Sequence, residues 1–185
     1  MKKGKIILIF GISGVGKTYY KQKLVDELDL ILLRRVITRE LRPQEDKKTF
    51  RVTKSEFKEL RKNKKLLVFS KINKEYYGFL KDDIKMLDEG CNLIGDCYYK
   101  LIKKLKRTFG EKLVCIAIQP YNIENTIKVI IKERKDYKKR VLNARKEYNY
   151  IEKNKGIFDL MIYNDYSQLT DEKIINGLKN ILENY

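Results

Sequence analysis

Lys5-Ile6-Ile7-Leu8-Ile9-Phe10-Gly11-Ile12-Ser13-Gly14-Val15-Gly16-Lys17-Thr18 joins an apolar run to a glycine-rich loop that ends in lysine and threonine. The run Lys5–Phe10 reads as a buried parallel strand, and the residues after Thr18 carry a helical pattern. Gly11 to Thr18 matches G-x-x-x-x-G-K-[ST] in full, between strand and helix, which is the setting that motif requires. Average glycine usage gives on the order of 0.01 chance matches over ~180 start positions.

The chemistry follows from the residue types. Gly11, Ser13, Gly14, Val15 and Gly16 turn backbone N–H groups toward phosphate oxygens, and the helix behind them points its positive end the same way. Lys17 supplies a point charge for the outer phosphates, and the Thr18 hydroxyl has the reach to ligate Mg2+. The expected ligand is ATP with Mg2+.

Outward from this loop, further apolar runs at Leu30–Val36, Asn92–Gly95, Leu113–Ile118 and Asp159–Tyr163 alternate with helical patterns. The last helix, Asp171–Leu182, carries Ile174, Ile175, Leu178, Ile181 and Leu182 on one face after Thr170 as the expected N-cap. Strands alternating with helices predict a three-layer α/β fold with a parallel core sheet. Between Thr49 and Phe79 the alternation breaks: a capping box from Thr53 to Glu56 opens a short helix, and Leu66–Ile72 and a Tyr76-Tyr77-Gly78 turn follow. The charge-dense segment Lys132–Arg140 is expected to face solvent as part of a cap.

The chain has 185 residues, the length of one ordinary domain, and its two prolines mark no linker. The expected organisation is a single domain, 1–185. Its core would comprise 1–34, 81–121 and 154–185, with a small mixed acceptor-binding insertion at about 35–80 and a helical lid at about 122–153. Cys91, Cys97 and Cys115 are odd in number and form no CxxC pair, so a disulfide framework and a zinc site are not suggested. The apolar N-terminal run is far below the roughly 20 residues of a membrane span, and a cytoplasmic protein without a membrane partner is expected. The net charge of +17 is spread along the chain with abundant Ile, Asn and Tyr, which fits a composition bias, and it would help gather anionic substrates. No arrangement of aromatics interleaved with basic residues on one strand face is evident, although thirteen tyrosines leave room for one, and nucleic acid is not an expected partner.

Thr38-Arg39-Glu40-Leu41-Arg42-Pro43 places two arginines in a turn, because Pro43 disfavours helical geometry at Arg42. Read alone, this is either a second anion site built from paired guanidinium groups or a solvated basic turn. The chain as a whole resembles the guanylate kinase family over nearly its full length. GISGVGKT resembles the family's GPSGVGKS, ITRELRPQE its TTR-x-x-RxGE segment, and TFRVTKSEF its YHFVSxEEF. EYYGF is similar to NYYGT, KKRVLNARKE to xKRLxxAxxE, and FDLMIYND to FDxVIxND.

The resemblance implies a P-loop kinase that passes the γ-phosphate of ATP to a small-molecule phosphorylated acceptor, with GMP or dGMP first. It implies that Arg39, Arg42 and Tyr77 hold the acceptor phosphate, that Arg134 and Arg140 close from the lid onto the phosphates in flight, and that Asp96 lies near the acceptor. The departures cluster at the base. The family's base-reading glutamate aligns with Val68, the small hydroxyl residue after YYG is Phe79, the serine before the TR pair is Arg35, and a tyrosine of the insertion is Thr49. Arg35 would thus add positive charge to the acceptor site. Another nucleoside monophosphate or a ribose bisphosphate would use the same anchors, and some relatives are non-catalytic scaffolds, although those typically lose the loop kept here. A monomer or homodimer is expected.

Overall fold

In the computed structural model, residues 3–43, 45–133 and 136–184 are described. The chain opens with strand β1 (Ile6–Phe10), the phosphate loop and helix α1 (Lys17–Leu28). Two short strands follow, β2 (Ile31–Leu32) and β3 (Arg35–Ile37). Then come β4 (Thr49–Arg51), α2 (Lys54–Lys62), β5 (Leu66–Ile72) and β6 (Glu75–Leu80). The remainder is β7 (Leu93–Asp96), α3 (Ile102–Phe109), β8 (Leu113–Pro120), α4 (Ile123–Glu133), α5 (Tyr137–Lys153), β9 (Leu160–Asn164) and α6 (Gln168–Glu183).

One five-stranded sheet runs β2-β7-β1-β8-β9, with all its pairings parallel. Both of its faces are covered, which is why its central strands read as continuous apolar runs. Ile6, Leu8 and Phe10 of β1 point into one core, with Ile102 and Leu105 of α3 and Ile151 of α5. Ile7 and Ile9 point into the other, with Leu24 of α1 and Ile174 and Leu178 of α6. This is a three-layer α/β fold with the phosphate loop at the carboxyl end of the central strand, the side on which such sheets bind ligands.

A second, mixed sheet runs β4-β3-β6-β5. It leans on the first core through Val68 and Phe79. The approach is close: a Cβ on Gly95 of β7 would lie 2.7 Å from the Phe79 ring, so only glycine leaves room for it there.

Three local expectations are corrected. The run Leu30–Val36 is two strands in two sheets rather than one. The Arg34 backbone N–H donates to Asp83 Oδ2 at 2.7 Å, and its Nε donates to Oδ1 at 2.6 Å. That buried carboxylate takes the bonds a neighbouring strand would otherwise supply and lets the chain cross between sheets. Tyr76-Tyr77-Gly78 lies inside β6, not in a turn; the turn is at Asn73 and Lys74, where φ is 50° and 71°. Helix α6 is capped by Ser167, whose side chain accepts from the Thr170 N–H, and Thr170 is itself buried, donating its hydroxyl to Asp165. The capping box of Thr53 and Glu56 forms as the sequence indicates.

Candidate active site

The phosphate loop is shaped by backbone that favours glycine, φ 86° at Gly14 and 95° at Gly16. It is tied to β9 by Asn164, which is buried at the strand's end. Asn164 Nδ2 donates to the Val15 carbonyl at 3.0 Å, and its Oδ1 accepts from the Tyr20 hydroxyl at 2.8 Å. Lys17 folds back onto the loop, its Nζ donating to the Gly11 carbonyl at 2.5 Å and the Ile12 carbonyl at 2.8 Å. Burial lowers the pKa of this ammonium. Glu147 of α5 accepts a hydrogen bond from the Gly11 backbone, and burial pushes its carboxyl up to about 7 despite the nearby Lys17 charge. Carboxylate and ammonium thus occupy the phosphate nest together.

The loop opens into a cavity of about 420 Å3, a size typical of small-molecule sites. Gly11, Ser13, Gly14, Gly16, Lys17 and Thr18 of the loop line it, together with Arg35, Arg39, Arg42 and Tyr77, Asp96 at the end of β7, and Arg140 of α5. The structure therefore brings nearly all of the sequence-derived residues to one space. Val15 is the exception: its side chain is fully buried in the core beneath the loop, leaving only its backbone to face a phosphate. Arg134 lies outside the described residues.

In the β3–β4 connection, Arg39 reaches Glu45 at 2.7 Å and lies 5.9 Å from the centre of the Tyr77 ring. Its Nε is buried without a hydrogen-bond partner among the described residues, leaving donor capacity that the protein does not use. From α5, Arg140 pairs with Asp136 at 2.5 Å, and Asn143 Nδ2 reaches Asn73 in the β5–β6 turn at 3.2 Å. Helix and hairpin thus meet across the cavity mouth.

Arg35 behaves differently from its sequence expectation. Nη1 contacts both oxygens of Asp96 at 2.9 Å, and Nη2 contacts Glu45 at 2.8 Å. Lys21, one turn along α1 from the phosphate loop, bridges Asp96 at 2.7 Å and Asp46 at 2.6 Å. Burial alone would raise the Asp96 carboxyl, but Arg35 and Lys21 outweigh it and hold it well below the usual carboxylate range. The positive charge of Arg35 is consequently matched by acids and adds no net charge to the acceptor region. Sequence reading missed Lys21, Asp46 and Glu147; a lysine at 21 had no signal, because its partners are 25 and 75 residues away.

The family model described as guanylate kinase matches residues 3–185. A guanylate kinase of Clostridium acetobutylicum is 30% identical over 188 residues, covering 98% of this chain and 86% of the relative. One from Oceanobacillus iheyensis is 27% identical over 183 residues, covering 97% and 88%. The crystal structure of guanylate kinase from Anaplasma phagocytophilum superposes with a TM-score of 0.77 at 21% identity, over 97% of this chain and 86% of that one, a likeness of fold. This chain belongs to the guanylate kinase family.

Proposed function

We propose that the chain transfers the γ-phosphate of ATP to the phosphate of GMP or dGMP, yielding ADP and the nucleoside diphosphate. The observation that carries this reading is the meeting, in one cavity, of the phosphate loop with Arg39 and Arg42 of the β3–β4 connection, Tyr77 of β6 and Arg140 of α5. In the transfer, an oxygen of the acceptor phosphate bonds to the γ-phosphorus as the bond from that phosphorus to the bridging oxygen breaks. No protein nucleophile is required. Positioning and charge neutralisation by Lys17 and the arginines supply the acceleration. The α4–α5 pair serves as the lid, excluding water as it closes with Arg140, and the second sheet holds the acceptor.

Mg2+ fits this site in a limited way. Thr18 lines the cavity, and no group of three or more acidic, His or Cys residues able to hold a metal exists among the described residues. That suits an ion held by one hydroxyl and the nucleotide's own phosphates, where it would neutralise developing charge. Asp96 is committed to Lys21 and Arg35 and is no ligand in this arrangement. The reading includes a cytoplasmic monomer or homodimer acting on a small molecule rather than on nucleic acid. Among the described residues, no helix is long and apolar enough to cross a membrane.

The test is ADP release from Mg·ATP with GMP, dGMP, other monophosphates and phosphorylated sugars, against buffer alone. Turnover with GMP or dGMP is expected. Turnover with a sugar phosphate alone, or with nothing, would reject the reading.

A further inference from the structure

The carbonyls of Gly11, Ile12, Gly14, Val15 and Gly16 in the phosphate loop are all turned to donors of the protein. Gly11 and Ile12 accept from Lys17 Nζ, Gly14 from the Tyr166 hydroxyl at 3.3 Å, and Gly16 from the Tyr20 N–H at 3.0 Å. A loop with its carbonyls engaged in this way leaves its N–H groups to an anion.

The Val15 carbonyl is held from furthest away in the chain, by a buried side chain 149 residues on. Asn164 is only 1% exposed. An amide side chain can be turned end for end, and here its partners fix the direction. The Tyr166 backbone N–H, which can only donate, lies 2.8 Å from one polar atom of the Asn164 amide, and the Tyr20 hydroxyl lies 2.8 Å from the same atom. That atom is therefore the oxygen, and the nitrogen donates to Val15 at 3.0 Å. The Val15–Gly16 peptide is trans, so its C=O and N–H point opposite ways. With the C=O drawn down toward β9, the Gly16 N–H is directed away from that strand. Gly16 lines the cavity, and it caps α1, whose first N–H groups have no partners within the helix. Its φ of 95° suits glycine, and a Cβ there would lie 3.2 Å from both Asn164 Nδ2 and the Tyr20 ring. A reversed peptide would put a carbonyl oxygen against the phosphate.

We propose that Asn164, aimed by the Tyr20 hydroxyl, is a positioning residue for phosphate transfer: it locks the Val15–Gly16 peptide so that the Gly16 N–H donates to the nucleotide's phosphates. Both side chains are buried and act through the backbone alone. This rests on the kinase reading above, and only on its donor side.

The test measures Kd for Mg·ATP, for inorganic tripolyphosphate with Mg2+, and for GMP, in wild type, Asn164→Asp and Tyr20→Phe. Asn164→Asp keeps the bonds from Tyr20 and Tyr166 and loses the one to Val15. It should weaken Mg·ATP and tripolyphosphate by at least about tenfold each and GMP by less than about twofold. Tyr20→Phe removes only the bond that aims the amide, and should move the two phosphate ligands in the same direction by about two- to tenfold, again sparing GMP. Tripolyphosphate binding unchanged in the folded variants overturns the inference, as does weakening of Mg·ATP alone, which would place Asn164 against the nucleoside. Equal weakening of GMP would show a merely structural role and also overturns it. Should Asn164→Asp fail to fold, Tyr20→Phe decides by the same comparison. A wild-type protein that does not bind Mg·ATP fails the kinase reading itself; variants that match a binding wild type fail this inference only.

Discussion

Lys21 Nζ lies 2.7 Å from Asp96 Oδ1, joining the helix that carries the phosphate loop to the end of the strand beside it. The same ammonium reaches Asp46 in the β3–β4 connection at 2.6 Å, so one buried charge ties α1, the core sheet and the second sheet together. Burial disfavours the Lys21 charge and Asp96 restores it, leaving its pKa raised. Such a cluster tolerates removal of a whole pair better than removal of one partner.

Lys21→Met should therefore destabilise the fold by about 3 kcal/mol or more, because Asp46 and Asp96 lose their shared cation. Adding Asp46→Leu should recover part of that loss. Urea denaturation of the two variants checks this; a double variant less stable by the simple sum of both changes would show that the pair is not coupled.

Lys17→Ala should abolish phosphate transfer while leaving the fold intact. Its ammonium is held by the Gly11 and Ile12 carbonyls, which the loop can leave to water. Single-turnover measurement at saturating nucleotide separates lost chemistry from weakened binding.

Arg42→Ala should raise the KM for the acceptor by tenfold or more and change ATP affinity by less than about threefold, since Arg42 lines the cavity from the β3–β4 connection and not from the phosphate loop. Loss of ATP binding in this variant would refute the division into donor and acceptor sides.

How far these sites were legible depended on the range of the interactions. The strand, loop and helix from Lys5 onward were readable because their determinants are local: an apolar run, glycines at fixed offsets, and a lysine that starts the helix. The Thr53–Glu56 capping box was readable for the same reason. The break between β2 and β3 was not, because it is made by Asp83, 49 residues further on. Placing Arg35 in the acceptor region needed only alignment of motifs, but its neutralisation by Asp96 lies 61 residues away and appears only once the sheets are docked.

Glu147→Gln should change stability in a pH-dependent way. The native carboxyl titrates at about 7 against an ordinary 4.5, so the folded state holds a proton that the unfolded chain has released between these values. Wild-type stability from this group is complete below about pH 4.5 and is lost as pH rises through 7. Glutamine cannot ionise. The variant should match wild type near pH 4.5 and have the higher Tm at pH 8; equal Tm differences at both values would show that the carboxyl is not shifted.

Gly95→Ala tests how tightly the second sheet is seated. The added Cβ would lie 2.7 Å from one Phe79 ring atom and 3.2 Å from Leu33 Cδ1, inside the contact distance that real side chains keep. Phe79 cannot swing away freely, because it is buried and opposite both Val68 and Arg35 in the sheet. Overpacking of this kind costs about 1–3 kcal/mol. Phe79→Leu removes the clashing ring edge, so the double variant should be more stable than the sum of the single losses predicts. The acceptor KM should follow the same order, since Phe79 also forms the cavity wall; a Gly95→Ala protein with unchanged Tm and KM would mean that the two sheets are not in contact through this ring.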